Sequence, residues 1–316
     1  MTTFATAAAV GEREQLADVI YRIDPAETPF FSNVKKETSN GIFTEWQTQE
    51  LASAATNNHV NEGAAISTAA ATPTVRLGNY HQISVKSFAT SGTLDAVDTA
   101  GREREHNYQK VLKALELRHD IEKSITDTNV ARSGSEPRKS ASLMTWITNG
   151  SVGAGSGAFS AGTGTDTVTD GDDRALTLAL IEDGMQDAWT DGGNPSMMLA
   201  SATNRANFSD LSATGNLVSN DVNMTQAKEV SYVGSTSIFL TDFGSVSATP
   251  SRFMSNDKMF LLDPEFASLC TLNGRNFQEK DMGDTGDSQA TMLITEWALK
   301  VLAPKAHAGI FDLSGS

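Results

Sequence analysis

Hydrophobic and polar residues alternate over 42–51, IFTEWQTQEL. Ile42, Thr44, Trp46 and Thr48 fall on one face, and Glu45, Gln47 and Gln49 on the other. That is the period-2 pattern of a half-buried strand. The pattern returns over 75–90, where Ile83 and Val85 alternate with Gln82, Ser84 and Lys86, and Gly78 marks a bulge or bend. The stretch between them, ASAATNNHVNEGAAISTAAAT, is polar and alanine-rich, so the pair predicts a long hairpin with a wide tip. A two-stranded hairpin alone is marginal in water, so this one needs a partner surface in its own chain or outside it.

A different period follows. Over 98–131 there is no proline and Gly101 is the only glycine, which predicts a helix of up to ~50 Å. Tyr108, Val111, Leu112 and Leu115 share one side, whereas Leu117, Ile121 and Ile125 lie largely opposite. An apolar face that shifts midway suits a helix running along a thin plate and touching different layers.

The remaining pattern divides the chain further. A short helix is predicted over 12–21, with Leu16, Val19 and Ile20 on one side. Pro25 and Pro29 then force extended backbone just before Phe30 and Phe31. Those two rings either close the base of the main core or belong to an arm lying on a neighbour. Residues 150–171 are rich in glycine, serine and threonine, and read as a flexible surface loop or insertion. From 174 to 262 helix and strand signals alternate: a helix over 174–189 capped by Asp172 or Asp173 and ended by Gly192-Gly193, then MMLA, SATNRANFSDLSA, TSIFLTD and KMFLL. This predicts a compact α/β lobe. Two strands, 266–272 and 291–301, flank the acidic turn EKDMGDTGD.

Composition narrows function mainly by exclusion. Formal net charge is −15 and no basic run exceeds two residues, so no stripe of positive charge exists to grip phosphates. Cys270 is the single cysteine, which excludes an internal disulfide framework and a cysteine-rich zinc site. The first residues lack the basic flank of a signal peptide, and no run approaches the ~18 apolar residues of a membrane span. Gly153, Gly155 and Gly157 lack the strand and helix that a dinucleotide loop requires. Asp281, Asp284 and Asp287, and the group Asp166, Asp170, Asp172 and Asp173, do not follow calcium-loop ligand order and read as solvated turns. His59, His81, His106, His119 and His307 form no metal-binding spacing, and His119-Asp120 has no nucleophile elbow to serve. No catalytic residue, cofactor or metal site is expected.

The ordered set EREQLADVIYRIDPAETPFFSNV, FTEWQTQEL, NEG, NYHQISVKSFATSGTLDAVDTAGREREHNYQKVLKALELRHDIE, MTWITNG, FLLDPEF and TGDSQATMLITEWALKV resembles the major capsid proteins of tailed double-stranded-DNA phages, the HK97-type fold. The resemblance covers nearly the whole chain. It implies an α+β fold with an N-terminal arm at 1–40 and an extended β-hairpin loop at 41–90 that overlaps an adjacent subunit. It further implies a peripheral domain at 91–173 with a spine helix at 98–131, an axial domain at 174–262, and return strands at 263–316. Pro25, Pro29, Phe30, Phe31, Trp46 and Glu62 become candidates for contacts between subunits. The implied partners are further copies of the chain, as hexamers and pentamers of a shell, with portal, scaffolding and decoration proteins beside them. The shell would enclose double-stranded DNA without reading its sequence, and no membrane is involved. Such a protein belongs to the virion and is assembled in the host cytoplasm. Two other readings stay open: a nanocompartment shell that encloses enzymes, and a cytosolic metal-dependent hydrolase using an acidic loop.

Overall fold

The computed structural model describes residues 27–65, 70–97, 104–214, 238–283 and 286–315. The described residues begin with helix α1 (Pro29–Asn33), strands β1 (Lys35–Ser39), β2 (Phe43–Thr48), β3 (Val75–Tyr80) and β4 (Gln82–Ser91), and helices α2 (Gly92–Ala96) and α3 (Glu105–Thr126). Next come β5 (Asn149–Ser151), α4 (Leu178–Thr190), β6 (Met197–Ala200) and α5 (Ala202–Thr214). The last elements are β7 (Ile238–Thr241), β8 (Gly244–Pro250), β9 (Lys258–Leu262), β10 (Ala267–Leu272), β11 (Gln278–Asp281), β12 (Ser288–Val301) and β13 (Ala308–Phe311).

Strand β12 organises the first sheet. One of its edges pairs antiparallel with β4, from Ser288↔Ser91 to Trp297↔Gln82. Its other edge pairs with β11 and then β10, and β1 adds to β10 in parallel. The C-terminal half of β12 is apolar on both faces because it runs through the middle of the molecule; Trp297, Ala298, Leu299 and Val301 are all buried. Helix α3 crosses one face of this sheet. Its C-terminal half contributes Leu117, Ile121 and Ile125 to the core, whereas Val111 in its N-terminal half stays exposed. Of the expected N-terminal face, Tyr108, Leu112 and Leu115 are only half-buried. The helix is shorter than 98–131, however. It stops at Asp127 because the following backbone is taken elsewhere: Val130 pairs with Ser142, and Arg132 donates to the Gly164 carbonyl. Residues 98–103 of the expected helix lie outside the described residues.

The second sheet runs β5-β13-β9-β6-β8-β7. Its central strands β6 and β9 are buried on both faces, which explains the unbroken apolar runs MMLA and KMFLL. Leu199, Phe260 and Leu262 point into a core shared with α3 and Trp297, while Met198, Met259 and Leu261 point into a second core with Ile181, Met185 and Phe208. The sheet draws β5 and β13 from outside 174–262, so that stretch does not make its lobe alone. Helix α4 begins four residues later than its pattern suggests. Thr177 caps it, and Arg174 instead bridges to Leu313.

Residues 150–171 are a partly exposed loop, but an anchored one. Val168 and Ser160 are buried, Asn129 clamps the Val168 backbone through both its amide atoms, and Gly153 N donates to Asp312. At Gly164 φ is +70°, and a Cβ there would stand 2.6 Å from the Trp146 ring. Glycine here permits close packing against an indole and is not a mark of looseness.

Candidate assembly site

The root of the N-terminal segment is built around a carboxylate from a distant helix. Pro29 opens α1, where its missing N–H costs nothing. The next two amides of a helix start need acceptors, and Thr28 supplies no side-chain cap. Glu122 of α3 does so: Phe30 N donates to Oε1 at 2.8 Å and Phe31 N to Oε2 at 2.7 Å. Glu122 is fully buried, and that burial pushes its carboxyl above the ordinary range despite the two amide donors. Phe31 meets Phe277 edge-on at 6.4 Å, with the Lys36 ammonium and the Arg118 guanidinium over its ring at 4.8 and 5.5 Å.

The root of the hairpin is equally well held. On the inner face of β2 and β3, Trp46 and Leu77 are buried, and the Trp46 ring lies 5.4 Å from Trp146. Gly78 brings β3 against Phe43, whose ring would be 2.6 Å from an added Cβ. Asn79 is wholly buried and fully served: its Nδ2 donates to Leu299 O and Ser140 Oγ, and its Oδ1 accepts from Tyr80 N and Ala141 N. At His81 the chain turns from the hairpin into β4, so the expected return strand over 75–90 is two strands in two sheets. The His81 Nε2 lies 2.8 Å from Thr44 Oγ1 and 3.0 Å from Ser39 Oγ, and burial lowers the ring's pKa.

Beyond Thr48 the hairpin changes character. The described residues of 49–74 form no strand and are exposed, Leu51 at 98% and Val60 at 72%. Gln49 Nε2 donates to Thr72 O, and Glu50 pairs with Lys305 of the body at 3.0 Å. Between loop and body runs a groove of about 340 Å³, lined by Thr48, Val75, Leu77, Thr148, Pro304 and Lys305 among others.

The six candidates separate accordingly. Pro25 lies outside the described residues. Phe30 and Phe31 are 1% and 6% exposed inside their own chain. Within this chain their complement is α3 and Phe277, the first of the two readings open for them. Trp46 likewise spends its face on Trp146. Pro29 is half-buried beside Thr28, Ser32 and Arg118, and Glu62 stands exposed in the loop. Glu122 and Asn79 were not anticipated. Glu122 left a trace, a carboxylate between Ile121 and Ile125 on the apolar side of the helix; Asn79 left none. Among the described residues no three of His, Cys, Asp and Glu gather closely enough to hold a metal ion, and no helix is long and apolar enough to cross a membrane.

Comparison with known proteins gives this geometry its setting. The major capsid protein of Escherichia phage Phieco32 is 36% identical over 113 residues, a stretch that takes in 36% of this chain and 32% of that protein's length. Among solved structures, the capsid asymmetric unit of cyanophage A-1(L) superposes with a TM-score of 0.65 at 13% identity, covering 98% of each chain. The encapsulin complex of Synechococcus elongatus superposes with a TM-score of 0.59 at 10% identity, covering 100% of this chain and 98% of that one. The fold is therefore the HK97-like one seen in phage capsids. The family model described as SU10 major capsid protein matches residues 1–314, and the chain belongs to that family of phage major capsid proteins.

Proposed function

We propose that copies of this chain assemble, in the host cytoplasm, into the hexamers and pentamers of an icosahedral phage head enclosing double-stranded DNA. The observation that carries this reading is the family match across 1–314, joined to a hairpin whose root is fixed and whose loop has apolar residues left open to solvent. The division into arm 1–40, hairpin 41–90, peripheral domain 91–173, axial domain 174–262 and return strands 263–316 goes with it. Portal, scaffolding and decoration proteins complete the list of partners. An acidic subunit of charge −15 suits a container that holds DNA without gripping it.

The encapsulin likeness supports a second reading, a shell that encloses enzymes, because the fold is common to both. Family membership and the Phieco32 relative favour the phage head. Negative-stain microscopy of the purified chain tests the shared claim: hollow closed particles are expected, and a chain that stays monomeric across salt and pH overturns it. Portal, terminase and tail genes beside the coding sequence would favour the head; a cargo enzyme would favour the nanocompartment.

A further inference from the structure

Three Asn-Gly steps occur in the chain, at Asn40-Gly41, Asn149-Gly150 and Asn273-Gly274. An asparagine before glycine carries latent chemistry. Glycine has no Cβ to hold its amide nitrogen away from the carboxamide carbon of the preceding residue, so that nitrogen can attack it. The attack forms a new C–N bond, closes a five-membered succinimide and breaks the bond to the side-chain nitrogen. The amide proton leaves with that nitrogen as ammonia. Water then opens the ring at either carbonyl and leaves aspartate or isoaspartate. Each event replaces a neutral side chain by a carboxylate.

The fold treats the three steps differently. Asn149 lies in β5, paired to Ala308 of β13. Its leaving nitrogen, Nδ2, donates to Asp191 Oδ2 and to Lys305 O, each at 2.9 Å, and the attacking nitrogen of Gly150 donates to Asp187 Oδ2 at 3.4 Å. Attack there requires β5 to come loose first. Asn40 and Asn273 are exposed, one in the bend between β1 and β2 and the other in the turn after β10. Neither Gly41 N nor Gly274 N donates a hydrogen bond among the described residues. The two open steps also touch. Asn273 N donates to Ser39 O at 2.9 Å, and Asn273 Nδ2 donates to Asn40 Oδ1 at 3.4 Å. A carboxylate at residue 40 would hold that leaving nitrogen by a charge-assisted bond. A carboxylate at 273 would do the same to Asn40 once its carboxamide turned over. A second carboxylate would then have to face the first.

We propose that Asn40 and Asn273 form a coupled, self-modifying site: each deamidates without an enzyme, and the first carboxylate slows the second event. This does not depend on the shell reading. The test keeps the folded, full-length chain in mildly alkaline buffer, which favours the deprotonated amide nitrogen. Samples taken over time are digested, and mass spectrometry follows the three Asn-Gly peptides, with isoaspartate resolved from aspartate. Asn40 and Asn273 are expected to convert about tenfold faster than Asn149, because only they reach attack geometry in the folded chain. In concentrated urea, where no step is held, the three rates should converge. Gly41→Ala places its Cβ 3.5 Å from Phe43 O, an ordinary contact, so melting should be unchanged while conversion at Asn40 is lost. Asn40→Asp should slow conversion at Asn273 about threefold through the stronger hydrogen bond to its leaving nitrogen. Conversion of Asn149 as fast as the other two in the folded chain overturns the site, and so does a folded chain in which neither Asn40 nor Asn273 converts. An unchanged rate at Asn273 in Asn40→Asp overturns the coupling.

Discussion

The root of the N-terminal segment and the loop of the hairpin are opposites. At the root, Phe30 and Phe31 are enclosed by α3 and Phe277, and both their amides end on one carboxylate. In the loop, Leu51 and Val60 have solvent around them. Neither segment could bury its apolar residues by itself. What differs is the surface opposite: α3 offers Ile121, Ile125 and a buried acceptor, while the body offers the loop a groove and one exposed ion pair. Whether a segment serves the fold or is left over for assembly is decided by its complement, not by its own composition.

The sharpest way to break this contrast is to remove the rings. Phe30→Ala should lower the unfolding free energy of the unassembled chain by about 3–5 kcal/mol, the cost of emptying a tightly enclosed aromatic site. Leu51→Ala should change it by less than about 0.5 kcal/mol, as for a solvated surface position. Urea denaturation of both variants measures the difference. Equal effects would mean that the loop is as much part of the fold as the root is.

Acid should separate the two roots. His81 at the hairpin root has its pKa lowered by burial, and His307 beneath β9 is lowered to about 4 by the same cause. A depressed histidine stabilises the fold while neutral, and that contribution is lost as pH falls from the ordinary value of 6.5 toward the folded one. For His307 the loss approaches about 3 kcal/mol by pH 4. Glu122 runs the other way. Its folded value stands above the ordinary carboxyl value, so its contribution is fully present in acid and fades as pH rises through the folded value. As pH falls from 7 to about 5, protection against amide exchange, corrected for the intrinsic rate, should therefore drop in β2 and β3 before it drops in α1. Simultaneous loosening would remove the distinction.

How much of this could be read beforehand depended on whether the signal was local. The alternation around Trp46 marked β2 because the strand really is buried on one face. MMLA and KMFLL marked β6 and β9 because both their faces are covered. β1, KKETS, was missed because it is a polar strand held by parallel pairing to β10, a partner more than two hundred residues away. β8, GSVSATP, was missed because its small polar residues carry little alternation. Composition misled at 150–171, where glycine serves close contact with Trp146. The two phenylalanines announced burial but not its address, because Glu122 enters from ninety residues downstream. Resemblance to a family supplied the fold, and the residues alone could not have said which surfaces remain open.

Substituting the carboxylate tests the root more gently than removing the rings. Glu122→Ala leaves two buried N–H groups without acceptors, each worth about 1–3 kcal/mol, offset in part because no charge need be desolvated. A net loss of about 2 kcal/mol is expected from those terms. Glu122→Gln keeps one acceptor oxygen and should lose about half as much. If Gln and Ala were equally damaging, the carboxylate's second oxygen would be the one that matters, and the paired geometry at Phe30 and Phe31 would have to hold as a unit.

The smallest effect is expected where the hairpin loop touches its own body. Glu50 and Lys305 lie 3.0 Å apart with both side chains about half exposed or more, and the hydrogen bond to Glu50 raises the Lys305 pKa. Exposed pairs of this kind contribute about 0–1 kcal/mol and weaken with salt. Glu50→Ala and Lys305→Ala should thus each leave urea midpoints almost unmoved, with a coupling below about 1 kcal/mol in the double-mutant cycle. The pair is the one ion pair the described loop residues make with the body, so its loss should free the loop to sample other angles while the root stays intact. Measured by the mobility of a spin label at residue 60, that freedom should rise in either variant and rise further in neither when both are combined. A coupling of several kcal/mol would show instead that the loop is clamped to its own subunit, and the contrast between a satisfied root and an unsatisfied loop would fail at its weakest point.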